Sequence, residues 1–341
     1  MSTIQPARLW RTPIWGGILA VALIAELVWF SLINRNFFGG GVGMLTQIES
    51  FIPTGILAMA SALVIFTGNI DLSVGAIASL ASVVVGTALL AHVNIIVAIL
   101  LAIAVSTLIG LINGLIVTLL GIDSLLVTLA TQFIASSVAV SLAGNNPPSG
   151  FAADFLSLGG GTIGPVPVIL IIFVLVSVAV ALLVGRTRFG RRTVLVGYNP
   201  SAARYTGIPV ARTVVGVFTL SGVIAGIGGV VLAAYFNAGR SDSGLALLLP
   251  AITCVVLGGV DIFGGRGRIG EVFVAVLLLG YLTQGMLNAG FSSLTASMVT
   301  GILLIVALVI KIAVERPGGD TLLGAIRHRV TARAATLVRK R

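Results

Sequence analysis

The sequence predicts an all-α, polytopic integral membrane protein with about ten transmembrane helices and both termini in the cytoplasm. Three observations carry that expectation. Charged residues make up 9% of the 341, against roughly 25% in a soluble domain. Apolar residues make up 57% and mean hydropathy is +1.16, too few polar side chains to cover a soluble globule. The arginines cluster between long apolar runs. That is the pattern of membrane topology rather than of a nucleic-acid surface, despite a net charge of +10.

A bilayer core about 30 Å thick takes about 20 helical residues to cross, and that ruler finds the spans in order. The first, 14–33, follows Arg8 and Arg11. It is too long for a signal-peptide core and no small-x-small site follows it, so it reads as a retained helix. The second, 44–66, and the third, 72–91, are joined by a very short connection. There Asp71-Leu72-Ser73-Val74-Gly75 reads as helix-start chemistry, with the Asp71 carboxylate close to water and capping the third span. The fourth, 94–120, and the fifth, 124–143, are joined as tightly, through Asp123. A Gly-, Pro- and Asn-rich stretch, 144–163, carries Asp154 and leads to the sixth span, 164–184. The loop 185–212, with six arginines, separates it from the seventh, 213–236. The eighth, 245–262, ends at Asp261; Arg266 and Arg268 follow, then the ninth, 270–289, and the tenth, 293–314. The chain thus divides into a cytoplasmic segment 1–13, a transmembrane domain 14–314 and a basic cytoplasmic tail 315–341 held at the membrane surface. This topology places eighteen of the 20 Lys and Arg on the cytoplasmic side and leaves only Arg35 and Arg240 outside.

Counting excludes several function classes. The two lysines, Lys311 and Lys340, lie in no Gly-Lys-Ser/Thr sequence, so the chain cannot supply a phosphate-binding P-loop. Two histidines, His92 and His328, and one cysteine, Cys254, rule out an internal disulfide and are too few for a typical zinc site. No catalytic or metal-ligating residue is assigned. Gly110/Gly114 and Gly222/Gly226 have the small-xxx-small spacing that lets helix backbones approach. Residues 68–72, Gly-Asn-Ile-Asp-Leu, and 258–262, Gly-Gly-Val-Asp-Ile, read as a trace of duplication. Glu26 sits mid-span and is expected to hydrogen-bond a neighbouring helix. The neutral polar side chains Asn113, Thr128, Thr131, Gln132, Thr283, Gln284 and Asn288 suit the path of a hydroxylated solute and serve equally as interhelical glue. In the 185–212 loop, Asn199-Pro200 is a helix start. Ser201 to Tyr205 then form a short helix, ended by Gly207, of a kind suited to a groove on a partner protein.

Three segments resemble the permease family of sugar-importing ABC transporters. Gly68-Asn69-Ile70-Asp71-Leu72-Ser73-Val74-Gly75 is similar to its Gly-Gly-Ile-Asp-Leu-Ser-Val-Gly signature. Residues 190–208, with Arg191, Gly197, Asn199, Pro200, Ala202, Ala203 and Gly207, resemble its cytoplasmic ATPase-coupling segment. Gly258-Gly259 through Asp261, Gly264, Gly265 and Arg266 resembles a third signature. The chain departs from the pattern at Asn69, at Ile122-Asp123-Ser124-Leu125 in place of Ile-Pro-Ser-Phe, and at Asp261, where a small neutral residue is usual.

The resemblance implies a permease of the bacterial inner membrane that moves a sugar or sugar-like solute by alternating access. It pairs with a second permease chain, identical or different. ABC ATPase subunits dock on the coupling segment, and an extracytoplasmic solute-binding protein delivers the ligand. ATP and Mg belong to the partner ATPase, so this chain carries no cofactor and is not an enzyme; nucleic acid is not a partner. The first and third signatures, through Gly68, Asn69, Asp71, Ser73, Gly75, Gly259, Asp261, Gly264, Gly265 and Arg266, become gating candidates. An ion- or proton-coupled secondary carrier working without an ATPase is the alternative, with Glu26 as its one midplane ionisable group. A channel or membrane-embedded enzyme is the third class, against which the shortage of His and Cys counts.

Overall fold

The computed structural model describes residues 13–33 and 43–315. Arg8, Arg11 and Arg35, most of the N-terminal segment and the basic tail lie outside the described residues. Long apolar runs have formed helices, because a helix satisfies its own backbone where water is scarce. The order is α1 (Pro13–Ile33), α2 (Gly43–Gln47), α3 (Ile52–Ile65), α4 (Val74–Leu90), α5 (Ile95–Leu119), α6 (Ser124–Ala143) and α7 (Ala153–Gly160). A small antiparallel hairpin follows, β1 (Thr162–Ile163) with β2 (Val166–Pro167). Then come α8 (Val168–Arg186), α9 (Arg188–Tyr198), α10 (Pro200–Tyr205), α11 (Val210–Phe236), α12 (Leu248–Leu257), α13 (Ile269–Asn288) and α14 (Ser293–Glu315).

Each of the ten expected apolar segments contains a helix. Six helices, α1, α5, α6, α8, α11 and α13, are long and apolar enough to cross a membrane; four apolar stretches are shorter, at Ile52–Ile65, Val74–Leu90, Leu245–Leu257 and Ser293–Val306. Several boundaries differ from the sequence expectation. The 44–66 run is broken into α2, a 3-10 turn at Ile48–Ser50 and α3. The 245–262 run keeps only ten residues of α-helix, in α12. Residues 164–167 belong to the hairpin, where Gly164 takes φ +61°, so α8 begins four residues late. The 185–212 loop is mostly helix. In α9 the buried Gly190, Thr193 and Val196 share one face with the partly buried Phe189, while Arg188, Arg191 and Arg192 are exposed.

The bundle is organised around α11, which packs on α5, α4 and α3. The two predicted glycine pairs meet each other. A Cβ on Gly110 would collide with Phe218 O, and one on Gly222 with Ser106 O. Lipid offers no hydrophobic drive between helices, so close backbone packing of this kind supplies the cohesion. Helix α3 is central: thirteen of its 14 residues are buried. Around it the polypeptide twice leaves the helical path. The connection 66–73 runs beside the first turns of α6. The segment 237–247 runs back along α4, where Arg240 N donates to Ser82 Oγ (3.0 Å) and Gly244 N to Ser79 Oγ (2.8 Å). Consequently α4 starts inside the bundle, with Gly75 and Gly244 backbone to backbone; a Cβ on Gly75 would sit 2.6 Å from Gly244 O.

Candidate functional site

One end of the bundle carries α9, α10 and the arginines. Asn199 caps α10 as expected: its side chain accepts from Ala202 N at 2.9 Å, and Pro200 takes the first turn. Gly207 adopts φ +79° and stops the helix. The short helix turns its faces differently from the simplest expectation. Ala203 is buried, 4% exposed, whereas Tyr205 is 93% exposed. Ala202, Arg204 and the preceding Arg191 are also exposed.

Three chain segments cross at this end with almost no side chain between them. Gly265 N donates to Phe66 O at 3.0 Å. A Cβ on Gly197 would collide with Phe66 O and lie 2.6 Å from Gly265 N. A Cβ on Gly68 would lie 2.9 Å from Phe263 O. Gly68, Gly264 and Gly265 have φ of +76°, +86° and +74°, which other residues rarely adopt. This crossing ties the end of α3, the end of α9 and the α12–α13 connection into one joint. The first suspected repeat begins beside the residues that follow the second, Gly68 against Phe263 and Gly264, and the two share one local turn. Asp71 Oδ1 accepts from Ser73 N (2.9 Å), as Asp261 Oδ1 accepts from Phe263 N (3.0 Å). Gly259, in the second of them, has φ +82°.

Asp71 departs from its predicted role. It is 3% exposed rather than close to water, and Ser73, not Asp71, holds the cap position of α4, with no side-chain cap bond. Its carboxylate is instead the end of a buried chain of hydrogen bonds. Thr131 Oγ1 donates to Asn113 Oδ1 (2.6 Å), Asn113 Nδ2 to Ser73 Oγ (3.0 Å) and Ser73 Oγ to Asp71 Oδ1 (2.5 Å). Ser221 Oγ approaches Asp71 Oδ2 at 3.5 Å. The extended backbone before α4 is held by hydroxyls of α6: Ile70 N donates to Ser124 Oγ (3.2 Å) and Leu72 N to Thr128 Oγ1 (3.1 Å). Asn69 Nδ2 donates to Thr67 Oγ1 at 2.8 Å. Hydroxyls, two amides and one carboxylate from α5, α6, α11 and the connection itself therefore come together along residues 66–73. Ser221 carried no sequence signal beyond being a small polar residue in an apolar run.

The expected path residues fall into two groups. Asn113 and Thr128 are fully buried in the Asp71 cluster, Thr131 adjoins it, and Gln132 is half-buried on α6. Gln284 and Asn288 lie apart on α13; Gln284 Nε2 donates to Ser50 Oγ, and Asn288 is exposed. Thr283 bonds back to Leu279 O at 2.8 Å. Glu26, expected to bond a neighbour, has a buried Oε1 with no hydrogen-bond partner. Asp123 does cap α6, accepting from Leu125 N at 2.8 Å. Among the described residues no three His, Cys, Asp or Glu side chains come together as metal ligands. At the other end of the bundle Arg240 and Asp242 pair at 2.9 Å, and the hydrogen-bonded guanidinium holds the Asp242 carboxyl below its ordinary value.

Comparison with known proteins places this geometry in context. Residues 43–308 match a family profile described as branched-chain amino acid transport system, permease component. The chain is 36% identical over 307 residues to the autoinducer 2 import system permease protein LsrD of Yersinia pestis (strain Pestoides F), covering 88% of this chain and 92% of that one. The LsrD of Yersinia pseudotuberculosis serotype O:3 (strain YPIII) gives the same identity and coverage. No solved structure matches.

Proposed function

The chain belongs to the permease-component family of branched-chain amino acid transport systems, and from that membership we propose that it is the membrane-spanning subunit of an ATP-driven importer for a sugar-like solute of the autoinducer-2 kind. The observation that carries the reading is the 36% identity to autoinducer 2 import permeases along 88% of the chain. The arginine-rich end faces the cytoplasm by the positive-inside rule, which also sets both termini inside. The capped helix α10, with Tyr205 exposed, is the docking element for a separate ABC ATPase, since a short helix held on a rigid mount suits a groove. A second permease chain and an extracytoplasmic solute-binding protein complete the assembly, in the bacterial inner membrane.

The chain itself makes and breaks no covalent bond. Its task is a population shift between two packings, one open to each side. The joint of Gly68, Gly197 and Gly265 supports a direct route for that shift. A movement imposed on α9 and α10 bears on the end of α3 and on the α12–α13 connection without slack, because backbone touches backbone. The Asp71 cluster then fixes where α4 begins. A helix that starts inside a bundle, as α4 does, is a usual part of the frame of a transport path.

The test is uptake of a labelled autoinducer-2-type furanose by cells lacking the chain. Uptake should be lost, restored by the chain, and abolished by ATP depletion. Uptake stopped by collapsing the proton gradient while ATP remains high would instead favour a secondary carrier.

A further inference from the structure

The α12–α13 connection holds a bulky apolar side chain out into solvent, and holds it firmly. Phe263 is 87% exposed and its neighbour Ile262 is 41% exposed. The turn beneath them is tightly bonded: Asp261 N donates to Arg266 O (3.0 Å), Gly264 N to Asp261 O (2.9 Å) and Phe263 N to Asp261 Oδ1 (3.0 Å). Its base is anchored on α9. A Cβ on Gly265 would lie 2.6 Å from Tyr198 Cα, and the Arg266 guanidinium sits 5.6 Å above the Tyr198 ring. Tyr198 is followed directly by Asn199 and α10, so the turn and the short helix form one continuous rigid surface. Three aromatic rings stand on it, Tyr198, Tyr205 and Phe263, exposed by 47%, 93% and 87%.

We propose that the Asp261–Gly267 turn, tipped by Phe263, is a second contact for the same ATPase that docks on α10, the ring entering an apolar pocket rimmed by acidic side chains. This rests on the reading of α10 as the docking helix. Continuity of the two surfaces argues for one partner. Charge complementarity argues for an acidic rim, because Arg266 sits over the Tyr198 ring, Arg204 precedes Tyr205 on α10, and both are exposed, as are Arg188, Arg191 and Arg192 on α9. Position argues against lipid. The backbone of the turn adjoins the end of α3, where a Cβ on Gly68 would lie 2.9 Å from Phe263 O, and α3 is buried along nearly its whole length. A partner gripping both α10 and the Phe263 turn would straddle the glycine joint and move its two sides together.

The experiment uses the native membrane complex. The chain has one cysteine, Cys254, and it is buried. Phe263→Cys and Tyr205→Cys therefore each introduce the one accessible thiol. Labelling by a membrane-impermeant maleimide is measured in inside-out vesicles, with the peripheral subunits bound and after a chaotrope wash that removes them. The expected result is at least tenfold slower labelling of both thiols when the subunits are bound. Protection of Tyr205→Cys with equal labelling of Phe263→Cys would overturn the inference and leave the α10 reading standing. Protection of neither would remove the docking reading itself. A Phe263→Cys thiol that resists labelling even in washed vesicles would place the ring in lipid and overturn the inference.

Discussion

Replacing Asp71 separates two roles that a buried carboxylate can have, acceptor and charge. Asp71→Ala removes both oxygens and leaves Ser73 N, Ser73 Oγ and Ser221 Oγ without their acceptor. A buried donor left unpaired costs about 1–3 kcal/mol. The Ser221 bond, at 3.5 Å, contributes least. The two donors on Oδ1 therefore set the loss at about 2–6 kcal/mol, and the alanine also leaves a small void. Asp71→Asn keeps an oxygen for Ser73 and turns an amide toward Ser221, whose hydroxyl can rotate to accept; its cost is expected at about 1 kcal/mol or less. Thermal unfolding in detergent can be followed with a thiol-reactive dye, since Cys254 is 3% exposed and reports opening of the core. Asp71→Ala should lower the midpoint by several degrees, on the order of 5–10 °C, and Asp71→Asn by far less. An Asp71→Ala midpoint within a degree of the parent would refute the hydrogen-bond argument. Equal damage from both variants would mean that the site needs a negative charge.

Gly222→Leu should prevent α5 and α11 from meeting and abolish accumulation in the membrane, because even a Cβ there collides with Ser106 O; a normal yield would refute the contact. Asn199→Ala removes the α10 cap, worth about 1 kcal/mol, and should reduce ATP-driven uptake while leaving membrane levels unchanged on immunoblots. Tyr205→Ala, at an exposed position, should weaken co-purification of the ATPase, whereas Ala203→Glu should lower yield because that side chain is buried. Arg240→Ala breaks an exposed ion pair and the guanidinium's contact with the Phe236 ring, and should change stability by about 1 kcal/mol or less; a loss of several kcal/mol in thermal unfolding would refute the reading of both contacts as surface ones.

Much of the helical content was legible because a bilayer demands runs of fixed length, and hydropathy reads such runs directly. The α10 cap was legible for a similar reason, since Asn199 and Pro200 act on backbone groups within three residues. The breaks were harder. The stretches 44–50 and 258–262 mix polar residues or glycine with a few apolar ones, and a hydropathy window absorbs them into the long apolar runs they border whether the backbone is helical or turning. Helix α9 was hidden by its arginines, although Phe189, Thr193 and Val196 keep a helical period that a closer reading could have found. The burial of Asp71 was not legible. Asp71 and Ser73 look like a cap exposed to water, and the residues that enclose them, Asn113, Thr131 and Ser221, lie 40 to 150 residues further along the chain.

That separation has a consequence for how the protein is made. Asp71 leaves the ribosome 150 residues before Ser221, its partner on α11. At 5–20 residues per second, the nascent chain waits roughly 8 to 30 s for that contact. Asn113 and Thr131 arrive sooner, so α5 and α6 can shelter the carboxyl first and α11 closes the enclosure afterwards. Until then a polar segment must rest at the bilayer surface or beside an insertase rather than in lipid. The enclosure of the 66–73 connection is therefore completed late, when α11 arrives. A chain cut short before residue 221 would hold the Asp71 carboxyl against α5 and α6 with its α11 side open, a form that membrane quality-control proteases can recognise.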